Sequence, residues 1–239
     1  MKSPTESYFT ALAEVRATGG GVKETSFYPP LINLLNAVGE TLKPRVLAVS
    51  QLKNVGAGSP DVGLFAAHQI PKGEAEPLPG QLPERGAVEV KSVTEDSWLT
   101  ANSAQVSKYW TKYRLVLVTN YRDFLLVGTD RLGQPTVLET LRLATSADAF
   151  WARLVQPRSF AQTEGERLLE FLKRALLCAA PLDNPRDVAW FLASMPAMRE
   201  RGWRINPIYR LWQPYARRWK MRWACISTPV MASISFAPP

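Results

Sequence analysis

The chain has few of the side chains that bind transition metals or form disulfides. Its 239 residues include two cysteines, Cys178 and Cys225, which lie far apart, and one histidine, His68. Cysteines this sparse in an intracellular chain are typical of free thiols rather than of a disulfide or a zinc site. A single histidine excludes the usual histidine-rich zinc sites and disfavours Ser–His catalysis.

Long apolar runs are also missing. No stretch approaches the roughly 18 apolar residues of a transmembrane helix, and residues 1–6 lack the hydrophobic core of a signal peptide. We therefore expect a cytoplasmic protein without a membrane partner. With 46% hydrophobic and 21% charged residues, the composition is typical of a globular protein that buries one core.

Positive charge is unevenly distributed along the chain. The formal net charge is +8, but residues 195–239 contain eight Lys or Arg residues against one acid, Glu200. The remaining residues hold 21 basic and 20 acidic side chains and are nearly neutral. A high isoelectric point alone therefore does not indicate nucleic-acid binding here, and we expect any DNA contact to depend on a local cleft.

Apolar periodicity predicts an α/β fold: a mixed sheet flanked by helices and followed by a short helical segment. The predicted strands are 45–52, 61–66, 86–93, 114–119, 123–128 and an edge strand over 137–143. The predicted helices are 6–17, 29–39, 103–113, 146–156, 162–178 and 184–194.

Three charged residues stand out in the central strands, namely Asp61, Glu89 and Lys91. Glu89 and Lys91 are two apart on a strand and share a face, while Val88 and Val90 point into the core. Two carboxylates and the Val90 carbonyl would offer oxygen ligands to Mg²⁺. Lys91 would orient a water or neutralise charge on a phosphate, as in phosphodiester hydrolysis. The alternative is an ordinary salt-bridged pair on a strand.

Three further residues are candidate accessory groups. Gln105 and Tyr109 are four apart on the predicted helix and share a face, from which they could contact the metal site or DNA. The alternative places Tyr109 in the core and Gln105 in solvent. Glu24, before the second helix, could supply another acid at the metal site, or it could simply be a charge favoured by the helix dipole.

Several motifs together resemble the PD-(D/E)xK nuclease superfamily, and the Gln-x-x-x-Tyr helix resembles its RecB-type branch. Over roughly residues 5–194 the chain resembles the amino-terminal nuclease domain of single-chain restriction–modification enzymes, the type ISP-like proteins of the N6-adenine DNA methylase family. The segments that carry this resemblance are 24–31, 58–61, 86–91 and 119–124. It implies a restriction-endonuclease-like fold, a catalytic triplet of Asp61, Glu89 and Lys91, and double-stranded DNA as substrate. In such proteins, methyltransferase, target-recognition and motor domains follow the nuclease.

The last 45 residues differ from everything before them. Residues 203–239 hold four of the eight Trp, and residues 195–239 hold six of the 19 Pro. When residues 195–239 are back-translated and read in a frame shifted by two nucleotides, permissible codons encode a charge-balanced, amphipathic sequence. We therefore hypothesise a frameshift near Ser194. Sequencing the coding DNA would test this hypothesis. The alternative is a genuine basic, aromatic DNA-binding tail.

The expected organisation is a nuclease domain over 1–145, a helical segment over 146–194 that leads to missing downstream domains, and an out-of-frame tail over 195–239. The expected function is Mg²⁺-dependent DNA cleavage. The alternative is a catalytically inactive remnant, or a DNA-binding module, of the same fold.

Overall fold

The structure is a computed structural model. It contains six strands and six α-helices among the residues that it describes. These residues are 2–19, 24–50, 58–71, 74, 77–78, 80–130 and 132–178. The helices are α1 (Pro4–Ala17), α2 (Tyr28–Thr41), α3 (Ser97–Ala101), α4 (Ala104–Tyr113), α5 (Ala147–Leu154) and α6 (Pro157–Leu177). The strands are β1 (Val46–Ser50), β2 (Val62–Ala66), β3 (Ala87–Val90), β4 (Val116–Thr119), β5 (Asp123–Thr129) and β6 (Pro135–Arg142). Short 3₁₀ turns cover Glu24–Phe27 and Ala67–Gln69.

The strands form one sheet in chain order, β1-β2-β3-β4-β5-β6. All neighbours are antiparallel except β3 and β4, which are parallel and joined through α3 and α4. A parallel pair needs such a crossover, because its strands run in the same direction. The predicted fold class, a mixed sheet flanked by helices, is confirmed.

Helices cover both faces of the sheet. Helix α4 packs Val106, Tyr109 and Trp110 against a cluster that includes Val116 and Val118. Helix α6 covers the opposite face, where the rings of Phe124 and Phe171 have centroids 6.1 Å apart. Because side chains alternate along a strand, Glu89 shares the α4 face with Ala87, while Val88 and Val90 are buried on the other.

Local signals explain most helix starts. Ser103 and Ser146 accept hydrogen bonds from the backbone N–H groups of Val106 and Ala149, which caps α4 and α5. Helix α6 begins at Pro157 rather than at the predicted residue 162, since proline is favoured in a first turn. The predicted helix over 184–194 lies outside the described residues.

Arg85, just before β3, is a fully buried cation. No acceptor among the described residues forms a hydrogen bond with its three guanidinium nitrogens. Burial lowers the pKa of Arg85 to about 10, while the nearby Glu84 and Cys178 act in the opposite direction. The folded state therefore disfavours the charged form of this side chain.

We expect Arg85→Met to raise the free energy of unfolding by roughly 1–3 kcal/mol at pH 7, because methionine keeps the buried stem and removes the charge. The pKa of Arg85 is lower in the folded state than in the unfolded state, so burial of its charge destabilises the wild type fully below pH 10. Above pH 10 the buried side chain loses its proton, and this destabilisation becomes smaller. The gain in stability should therefore be constant up to about pH 9 and become smaller as the pH rises through 10, which urea unfolding curves at a series of pH values would show. A variant less stable than the wild type would show that Arg85 has an acceptor in solution.

Candidate active site

The predicted catalytic residues lie where β2 and β3 meet. The strands pair Val62 with Val88 and Gly63 with Ala87. Asp61 is the residue that precedes β2, and Glu89 follows Val88 in β3. The Asp61 carboxylate accepts a hydrogen bond from the backbone N–H of Val90, so it lies against the end of the strand that carries Glu89.

Two hydrogen bonds orient the Asp61 carboxylate. Its Oδ2 accepts from the backbone N–H of Val90 at 2.8 Å. Its Oδ1 accepts from the hydroxyl of Tyr28, the first residue of α2, at 2.7 Å. One bond joins the carboxylate to the strand that carries Glu89, and the other joins it to a separate layer of the fold.

Glu89 and Lys91 form a close ion pair. The Lys91 Nζ atom lies 2.8 Å from Glu89 Oε1, with side chains 27% and 3% exposed, respectively. The backbone N–H of Lys91 donates to the carbonyl of Thr119 at 2.9 Å, which extends the parallel β3–β4 pairing beyond Val90. The ammonium is therefore held at the end of the strand while it keeps access to solvent.

Helix α4 places Tyr109 beside this group. The Gln105 amide donates to the Tyr109 hydroxyl at 3.0 Å, and the ring is 1% exposed. Burial is the largest effect and raises the pKa of Tyr109. Glu89 and Asp61 raise it further, whereas the hydrogen bond from Gln105 and the charge of Lys91 lower it. The phenol therefore stays protonated at neutral pH, within the electrostatic field of all three catalytic candidates.

Tyr109 is a core residue and Gln105 is exposed, as the alternative interpretation expected, while the accessory role of the pair stays a prediction. The turn before Asp61 explains how Tyr109 fits. Gly58 has φ +98, and a Cβ there would lie 3.3 Å from Tyr109 Cε1 and 3.4 Å from its hydroxyl oxygen. A side chain at position 58 would crowd the tyrosine, so glycine lets the Gly58–Asp61 turn pass close to it.

Residues of the β4–β5 turn form hydrogen bonds with the loop that follows Lys91. The Asn120 side-chain amide donates to the Glu95 carbonyl at 2.7 Å. The Arg122 guanidinium donates to the Val93 carbonyl at 3.0 Å. These contacts give residues 119–124 a structural role: they fix the chain between β3 and α3.

The donor set suits a hard divalent cation. Asp61 and Glu89 supply carboxylate oxygens and Val90 a carbonyl oxygen, the ligand chemistry of Mg²⁺, which is usually held by one or two carboxylates and keeps several waters. No group of three or more His, Cys, Asp or Glu residues that could hold a metal occurs in the part of the chain that the structure describes.

Of the sequence candidates, the structure brings together Asp61, Glu89, Lys91, Gln105 and Tyr109. The backbone of Glu24 lies in the 3₁₀ turn before α2, and its side chain lies outside what the structure describes. Tyr28 was missed by the sequence analysis, although it belongs to the same 24–31 segment that carried the family resemblance. The tail over 195–239, and with it the frameshift hypothesis, also lies outside the described residues.

Comparisons with known proteins add little. No protein family matches the chain, and no curated protein does either. Among solved structures, the chain is similar to a cryo-EM structure of a DrdV–DNA complex, with a TM-score of 0.44 and 16% identity over 64% of this chain and 94% of that chain. A similarity at this level carries no inference about activity.

None of the described helices is long and apolar enough to span a membrane.

Proposed function

We propose that this chain is a Mg²⁺-dependent endonuclease domain that hydrolyses phosphodiester bonds of double-stranded DNA. The observation that carries the proposal is the contact of the Asp61 carboxylate with the backbone N–H of Val90, one residue beyond Glu89, together with the Lys91 ammonium 2.8 Å from Glu89. A buried carboxylate beside a second one is unfavourable unless cations compensate both. Lys91 supplies one positive charge, and a divalent cation would supply the other.

Each residue has a chemical task in this proposal. Asp61, Glu89 and the Val90 carbonyl would hold Mg²⁺, which when bound lowers the pKa of a water and supplies positive charge near the phosphate. Lys91, partly exposed, would donate a hydrogen bond to the phosphate or the attacking water. Protonated Tyr109, held by Gln105, would keep the buried side of the site polar while excluding bulk water.

The sequence resemblance gives this domain a context. We infer that it corresponds to the nuclease part of a single-chain restriction–modification enzyme of the N6-adenine DNA methylase family, in which methyltransferase, target-recognition and motor domains follow the nuclease. The described residues contribute the cleavage site, and the target sequence would be selected by the domains that follow in such enzymes.

The direct test is nicking of supercoiled plasmid DNA by the purified chain. We expect conversion to open circles in Mg²⁺ and none in EDTA. Asp61→Asn should lower the rate by at least about 100-fold, since it removes a metal-binding charge. Asp148→Asn, an exposed aspartate on α5, is the matched control and should cleave like the wild type.

Two results would contradict the proposal in different ways. Equal cleavage by Asp61→Asn and the wild type would remove this site from the reaction. DNA binding by a gel-shift assay, without cleavage in Mg²⁺ or Mn²⁺, would instead favour the alternative function, a non-catalytic DNA-binding module of the same fold.

A further inference from the structure

Tyr28 reaches the site from a part of the fold that contributes no predicted catalytic side chain. It is the first residue of α2, a helix that packs against β1, α1 and α6. Its hydroxyl donates to Asp61 Oδ1 at 2.7 Å, across a sequence separation of 33 residues. The position of this hydroxyl is therefore set by the packing of α2 and not by the strands that carry Asp61 and Glu89.

The Asp61 carboxylate needs such a partner, because the terminal torsion of aspartate is broad and only roughly two-fold. The Val90 N–H alone fixes one oxygen at 2.8 Å and leaves the carboxylate plane able to turn about it. A second donor on the other oxygen defines the plane. A carboxylate has about four acceptor positions, so two hydrogen bonds leave lone pairs for a cation.

We propose that Tyr28 is a positioning residue, which holds the Asp61 carboxylate in the orientation required to bind the metal ion. This inference rests on the proposed function. Tyr28 touches neither the substrate nor the reacting atoms in this scheme and acts only through Asp61. Partners of metal-binding carboxylates commonly have this role, and their loss weakens metal affinity or activity by about 10- to 100-fold.

The test compares Tyr28→Phe with Tyr8→Phe. Both substitutions delete one phenolic hydroxyl, but the Tyr8 hydroxyl donates to the Tyr121 carbonyl at 3.3 Å and does not contact Asp61. Mg²⁺ binding is measured by isothermal titration calorimetry, and plasmid nicking is measured over the same Mg²⁺ concentrations, both well below the melting temperature of each variant. We expect Tyr28→Phe to raise the Mg²⁺ midpoint by about 10-fold, with most of the rate recovered at saturating Mg²⁺. Tyr8→Phe should keep the wild-type midpoint.

The midpoint separates a positioning role from a structural one. Reversible partial unfolding would itself raise the apparent midpoint, so the comparison is made where each variant is fully folded. Under that condition, a uniform loss of rate with an unchanged midpoint would overturn the assignment. An equal midpoint shift in Tyr8→Phe would overturn it as well. Failure of the wild type to cleave at any Mg²⁺ concentration would instead refute the proposed function itself, and the two failures are thus distinguishable.

Discussion

Replacing Lys91 with alanine is expected to slow DNA nicking by at least about 100-fold, the loss typical when one preorganised donor to a developing charge is removed. The Lys91 ammonium lies 2.8 Å from Glu89 Oε1, and its backbone is fixed by the hydrogen bond to Thr119. Its side chain is only partly buried, which leaves it accessible to a phosphate. The loss should appear in the rate at saturating Mg²⁺, because Lys91 is not a metal ligand in the proposal.

Lys173→Ala provides the matched control. Lys173 on α6 also pairs with a glutamate, Glu170, at 3.1 Å, but both side chains are more exposed. The substitution deletes the same atoms and the same charge, and exposed pairs of this kind contribute at most about 1 kcal/mol. Circular dichroism should show both variants folded at the assay temperature. Comparable activity of Lys91→Ala and Lys173→Ala would exclude Lys91 from the chemistry.

The second large effect is expected for Gly86→Ala, which should destabilise the fold by roughly 3–4 kcal/mol. Gly86 precedes β3 and has φ +106, a conformation that L-residues rarely adopt. An added Cβ would lie 2.7 Å from the Leu115 carbonyl oxygen, which is backbone and cannot swing aside. That same carbonyl accepts from the N–H of Ala87 at 3.0 Å, so the overlap acts on the first hydrogen bond between β3 and β4.

Gly133→Ala is a control that separates the two causes of the expected Gly86→Ala destabilisation, backbone strain at positive φ and steric overlap of the added Cβ. Gly133 has φ +79, but nothing lies within 4 Å of an added Cβ. It should therefore show only the cost of a left-handed alanine, about 1–2 kcal/mol. Urea unfolding measures the free energy of unfolding of both variants. DNA nicking, assayed at urea concentrations below the unfolding midpoint of each variant, shows whether the active site is intact. Equal destabilisation by the two substitutions would show that the chain at Leu115 relaxes without cost, contrary to expectation.

The fold class could be predicted because its signals are local. Alternation around Glu89 placed it and Lys91 on one face, and the two side chains form an ion pair. The strand expected from Asp61 begins one residue later, at Val62, and the catalytic roles of Asp61, Glu89 and Lys91 stay predictions. Strand ends were less predictable. The strand expected over 114–119 begins only at Val116, because Arg114 adopts φ 62 and ends α4, a role usually taken by glycine.

Other features had no local signal. Helix α3 is too short to show a helical period, and its start is marked by the Asp96 cap alone, which accepts from the N–H of Trp98 at 2.7 Å. The contact of Tyr28 with Asp61 joins a helix to a strand start far along the chain, so no spacing rule anticipates it. The same holds for Gly58 against Tyr109, where only the assembled fold shows why the turn carries glycine.

The contact between α1 and α6 has a consequence for how the protein is made. Phe9 of α1 stacks on Phe160 of α6, with ring centroids 4.3 Å apart, and Thr5 lies against Gly165. The first helix to leave the ribosome is therefore covered by the last described one. The chain around Asp61 and Glu89, the proposed metal ligands, emerges in between, and until α6 follows, the part of α1 that packs on α6 stays exposed to the crowded surroundings of the nascent chain. Exposed apolar surface of this kind favours chaperone capture and aggregation, so we expect both to compete with folding until synthesis has passed α6.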